Sequence, residues 1–209
     1  ISYYKKDFYT TNTKVRNIEC VLQKAIDEDE SESTIIPGQS GDVLRTYRTA
    51  IAATGEYTDF HGGTVEDAMA GINTTLNRVN EVYERESAIR LILIENNDLI
   101  IYTNSSSDPY SNGNAGAMID QNQDNIDDVI GNDNYDIGHV FGTNSGGLAS
   151  LGSVCNNSQK ARGITGSFAP VGDPFDIDYV CHEVGHQFGG NHTQNNSCER
   201  TSSSAFEPG

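Results

Sequence analysis

The sequence predicts an α/β domain built on a mixed sheet. Three observations carry that expectation: a long amphipathic stretch at 65–85, apolar β-branched runs on either side of it, and an element order that reads β-α-β-β-α-β-β-α. Each element has its own signal. Residues 14–27, KVRNIECVLQKAID, place Val15, Ile18, Leu22, Ala25 and Ile26 on one helical stripe, with Cys20 on the opposite face. The charge run DEDESES follows, then Pro37, Gly38 and Gly41, which predicts a boundary between an N-terminal extension (1–41) and a main domain (42–209).

VLRTYRTAIAATGEY (43–57) is rich in β-branched and small residues and reads as a strand. Thr64 is the expected N-cap of the next helix, with Glu66 and Asp67 in the first turn where the helix dipole favours anions. Val65, Met69, Ile72, Leu76, Val79 and Tyr83 continue at three- and four-residue spacing, predicting one helix over 65–85. AIRLILIE (88–95) and LIIYTN (99–104) read as strands, and a Ser/Asn/Gly loop leads from them to a second helix over 117–130. Two further strands are expected at 136–143 and 147–154, and a third helix over 173–188, started after Gly172-Asp173-Pro174.

The bulk composition narrows the function. A chain of 209 residues fits one domain with a short extension, and the net charge of −17 argues against nucleic acid or an anionic membrane as partner. No run of eighteen apolar residues is present. The chain opens at Ile1 without a signal-peptide pattern, as expected of a processed chain or a fragment. Four cysteines (Cys20, Cys155, Cys181, Cys198) and an acidic, Asn/Ser/Gly-rich composition suggest secretion and a disulfide bond.

The chemistry concentrates in CHEVGHQFGGNH (181–192), which holds three of the five histidines. His182 and His186 lie four apart on the third helix, so both imidazoles can reach one ion. Nitrogen ligands suit Zn²⁺, and a catalytic zinc keeps a fourth position open for water. Glu183 stands beside the first ligand as the general base for that water. On a continued helix His192 would lie about 15 Å along the axis from His182, so the chain must turn back. Gly189 and Gly190 stand where that reversal is needed, glycine tolerating the left-handed conformation that ends a helix. The competing arrangement is a structural zinc closed by a thiolate. Cys198 could reach it, while Cys181 points about 100° away from His182, and Glu183 has no role in a closed site.

HEVGHQFGGNH resembles the extended zinc signature of the metzincin metallopeptidases. RTYRTAIAATGEY, NRVNEVYE, NYDIGHVF and GDPFDIDYVCHEVGHQFGGNHTQNN resemble the secreted bacterial branch related to the reprolysins, or adamalysins, over about 42–209. The resemblance implies a twisted mixed sheet with one antiparallel edge strand and a zinc cleft on the third helix. It also implies His182, His186 and His192 as ligands of one catalytic zinc and Glu183 as general base in a secreted endopeptidase. GGLAS (146–150) resembles the edge strand on which metzincins pair an extended substrate, which makes Gly147, Leu148 and Ala149 candidate substrate-binding residues.

Metzincins carry a methionine turn after the third histidine, whereas Met69 and Met118 both lie upstream of it here. The resemblance therefore implies that the C-terminal part is missing, with a separate C-terminal fragment of the same precursor as a candidate partner. Cys20 is either a propeptide thiolate ligand of the zinc, as in a zymogen, or half of a disulfide. A non-catalytic binding module or a latent zymogen on the same scaffold is the alternative to an active protease. DQNQDNIDD (120–128) and GNDNYD (131–136) are oxygen-rich enough to consider Ca²⁺, without EF-hand spacing. His61 and His139 lie off the motif and read as packing or surface residues, and Tyr179 as a packing residue.

Overall fold

The computed structural model describes residues 43–144 and 146–192, together with the backbone of 20–23. Among these residues the chain forms an open mixed sheet of six strands: β1 (Cys20–Gln23), β2 (Arg45–Ala53), β3 (Ile89–Leu93), β4 (Ile137–Gly142), β5 (Gly146–Ser150) and β6 (Gly163–Gly166). Their order across the sheet is β1-β5-β6-β4-β2-β3. Every pair is parallel except β5 with β6, so β5 runs against the four strands beyond it. The helices are α1 (Gly55–His61), α2 (Val65–Ser87), α3 (Ala115–Val129), the single turn α4 (Asp173–Phe175) and α5 (Cys181–Gln187), with a π-helical turn (Asp176–Val180) joining the last two. None of these helices is long and apolar enough to cross a membrane.

Strand alternation sorts the side chains into two cores, one on each face of the sheet. Ile51, Ala53, Ile137 and Phe141 pack with Ile72, Leu76 and Val79 of α2 and with Val180 and Val184 near α5. Ala50, Ala52, Val140, Leu148 and Ile164 pack with Met118, Ile119 and Ile126 of α3. β2 is the central case: its residues from Thr49 to Ala53 are all buried, because helices cover both faces.

The expected α2 is present with its cap. The Thr64 hydroxyl accepts from Asp67 N at 3.1 Å, and Glu66 and Asp67 occupy the first turn. α3 begins at the capping Asn114, whose side chain accepts from Ala117 N at 3.2 Å.

Five expectations need correction. The helical stripe over 14–27 gives a strand at Cys20–Gln23, held by pairing with β5, and the rest of that segment lies outside the described residues. The strand expected over 43–57 stops at Ala53, where Thr54 caps α1 by accepting from Tyr57 N at 3.2 Å. The strand expected over 99–104 is a 3-10 turn (Asn97–Ile100) followed by one bridge, Ile101 to Ala53. Asn97 causes the difference. Its buried side chain accepts from Ile51 N and donates to Ile51 O, each at 2.8 Å, and so acts as a one-residue strand beside β2. The strand expected over 147–154 ends at Ser150, because Gly152 and Cys155 take positive φ values of 66° and 63°. β6, with the sequence GITG, was not expected at all.

Candidate metal centre

The helix that carries the motif is built in three pieces. Gly172 at φ 73° breaks the incoming chain and Pro174 opens α4. The π turn then ties the helix to α2 through the buried Asp176, which accepts from Thr75 Oγ1 at 2.7 Å and lies 3.8 Å from Arg78 Nε. Burial raises the Asp176 pKa, and the Thr75 hydrogen bond and the Arg78 charge oppose that rise.

α5 spans two turns, and its faces have separate tasks. His182 and His186 project on one side, Glu183 lies against β5, and Gln187 enters the sheet. A closing turn follows, in which Gly189 N donates to His186 O at 2.9 Å and Gly190 N to Gly185 O at 2.8 Å. The two glycines serve it differently. Gly189 takes φ 94°, a conformation strained for other residues. Gly190 has ordinary φ but passes so close to the helix that a Cβ would lie 3.0 Å from Gly185 O. This reversal returns His192 to the other two histidines.

The result is a near-equilateral triangle of imidazole nitrogens. His182 Nε2 lies 3.0 Å from His186 Nε2 and 3.2 Å from His192 Nε2, and the third side is 3.1 Å. Nitrogens this close together would let His182, His186 and His192 hold one ion at the ordinary zinc–nitrogen distance of about 2.0–2.1 Å. The donor set fits as well. His186 Nδ1–H donates to Gly190 O at 2.6 Å, which fixes the tautomer that offers the Nε2 lone pair to a metal. Burial lowers the His182 pKa to about 4 and lowers that of His186 too, favouring the neutral, ligating form. Among the described residues, these three histidines are the one cluster of His, Cys, Asp or Glu arranged to hold an ion.

Glu183 is fully buried beside Gly147 of β5. A Cβ on Gly147 would stand 1.9 Å from Glu183 Oε1 and 2.4 Å from Tyr179 Cε2. Gly147 lies outside the positive-φ region, so space alone demands glycine at this position. Leu148 faces the opposite core, and Ala149 is fully buried. The loop after β5 also caps the metal helix: Gly152 N donates to His186 O at 2.9 Å and Val154 N to Gln187 O at 3.2 Å.

β5 is not the edge of the sheet that was expected. β1 covers it in parallel, with Cys20, Val21, Leu22 and Gln23 in register with Gly147, Leu148, Ala149 and Ser150. The thiol of Cys20 and the whole of Cys198 lie outside the described part of the structure. Among the described residues, Cys155 and Cys181 are not joined to one another and stand as free thiols. In the oxygen-rich segment before β4, side-chain carboxylates have protein partners. Asp127 accepts from Tyr135 and Asn132, and Asp120 pairs with Arg162.

One part of the neighbourhood was missed in the sequence. His139, Thr165 and Gln187 form a buried polar group beneath the metal helix. The signal was available, because Gln187 continues the apolar stripe Val180–Val184 at helical spacing and so places an amide in the core.

A sequence model described as metallopeptidase family M12B, reprolysin-like, matches residues 69–193, more than half of the chain. The chain belongs to this family. A search of curated proteins finds no match. The span matched in this reprolysin-like metallopeptidase runs from within α2 to just past His192, so it contains β5, Glu183 and all three histidines. β1 and β2 lie outside it.

Proposed function

We propose that this reprolysin-like domain is a secreted zinc endopeptidase acting on extended protein or peptide segments. The observation that carries the reading is the convergence of three imidazole nitrogens at 3.0–3.2 Å, with a buried glutamate on the same helix. Zinc on this triad would supply Lewis acidity toward the scissile carbonyl and the attacking water. Glu183 accepts the proton of that water and returns it to the leaving amine. Once residues 20–23 leave it, β5 would offer main-chain groups to an extended peptide, and at Gly147 it passes directly beside the Glu183 carboxylate. The acidic surface, with its net charge of −17, suits an extracellular protein that binds neither nucleic acid nor an anionic membrane.

The experiment is a Glu183→Gln variant assayed for zinc content and peptide hydrolysis. The expected result is one zinc per chain with hydrolysis lost by a factor of at least about 10³. Undiminished hydrolysis refutes the mechanism, and wild-type protein without zinc revives a non-catalytic binding module.

A latent form of the same enzyme is the second reading, and the pairing of β1 with β5 favours it. A peptide seeking β5 must compete with the chain's own residues 20–23. Proline has no N–H and weakens a β ladder, so V21P/L22P should raise kcat/KM at least several-fold. An unchanged rate removes this reading without touching the first.

A further inference from the structure

Beneath the metal helix lies a fully buried polar network that the proposed reaction does not use. Gln187, His139 and Thr165 are 0%, 1% and 0% exposed. Gln187 Nε2 donates to Gly138 O at 2.9 Å and to Lys160 O at 3.3 Å. Its Oε1 is thereby left to accept from His139 Nδ1–H at 2.8 Å, and His139 Nε2 accepts from the Thr165 hydroxyl at 2.9 Å. The chain of contacts joins the last turn of α5 to β4, to β6 and to the loop before β6. Gly163 leaves room for it, since a Cβ there would lie 2.4 Å from Gln187 Oε1 and 2.5 Å from His139 Nδ1.

A core position on the Val180–Val184 stripe could be filled by leucine or methionine without desolvating an amide and an imidazole. Hydrogen bonds do what apolar packing does not: they fix the rotation of the helix about its axis. Gln187 directly follows His186, about 100° around the helix. Pinning Gln187 to the sheet therefore pins the direction in which His186 presents Nε2. Slippage that apolar contacts would tolerate would swing that nitrogen out of its triangle with His182 and His192.

We propose that Gln187, held by His139 and Thr165, is a positioning residue for the metal, aiming His186 through the rotation of α5. This rests on the reading of the histidine triad as a zinc site.

The test is zinc affinity of the intact protein, measured by competition with a chromophoric chelator under conditions where each variant is folded by circular dichroism. Gln187→Met keeps the volume and removes the hydrogen bonds, and is expected to weaken zinc binding about 10- to 100-fold. Thr165→Val loosens the network at its far end and is expected to weaken it about threefold to tenfold. The control is Asn97→Ala, which breaks a comparable buried pair of hydrogen bonds beside β2 and should change zinc affinity less than about threefold. Co²⁺-substituted Gln187→Met should also show an altered visible spectrum, reporting a changed ligand geometry.

Variants that are folded and bind zinc like wild type overturn the proposal alone. An equal loss in Asn97→Ala overturns it too, since affinity then follows stability. If Gln187→Met does not fold, Thr165→Val decides by the same criteria. Wild-type protein that binds no zinc overturns the metal reading and this inference with it.

Discussion

Acidification should destabilise this protein through His139, and the size of the effect follows from its surroundings. The imidazole is buried among Gln187, Thr165 and Phe141, and burial lowers its pKa to about 4, with the Gln187 hydrogen bond opposing the shift. The folded chain thus keeps His139 neutral while the unfolded chain protonates it near pH 6.5. Unfolding takes up a proton throughout this window. The stabilisation is complete above about pH 6.5 and is lost as pH falls toward 4. For these two values the linkage relation gives a loss of about 2 kcal/mol between pH 8 and pH 5, rising to about 3 kcal/mol below pH 4. The assay is urea unfolding from pH 8 to pH 4.5 on wild type and on His139→Gln. The contributions of His182 and His186 cancel in the difference between the two. The variant is less stable at pH 8, and its stability should fall less steeply with acid. Parallel pH profiles would refute the claim that His139 is held neutral in the core.

Three further predictions concern residues with distinct tasks. Gly147→Ala forces a methyl into the Glu183 and Tyr179 side chains, so hydrolysis should fall about 100-fold with zinc retained, and a rate within threefold of the parent would contradict the placement of the carboxylate. It is best measured in the V21P/L22P background, where residues 20–23 no longer compete for β5. Gly189→Ala, at φ 94°, should destabilise the closing turn by about 1–2 kcal/mol and weaken zinc binding because His192 depends on that reversal. Equilibrium unfolding and chelator competition measure the two effects separately. Asn97→Ala leaves the Ile51 N–H and C=O without their buried partner, and a loss of about 2–4 kcal/mol is expected in urea denaturation.

What the sequence determined by itself is what lies within one helical stretch. The i, i+4 offset of His182 and His186, the adjacent Glu183, the cap at Thr64 and the apolar stripe of α2 depend only on helical geometry, which spacing encodes directly. Even the reversal at Gly189 was legible, because ten residues of helix would carry His192 beyond reach of the ion.

Tertiary structure alone decided the partners. Residues 20–23 carry a helical pattern, yet pairing with β5 makes them a strand, because backbone hydrogen bonds to a neighbour override a local stripe. Gly163–Gly166 becomes a strand only because β4 and β5 flank it. The spatial reason for Gly147 exists only once Glu183 lies beside it, and the tie between Gln187 and the metal helix only once β4 and β6 converge beneath α5. Contacts between residues dozens of positions apart depend on which strands meet, and periodicity along the chain carries no record of that.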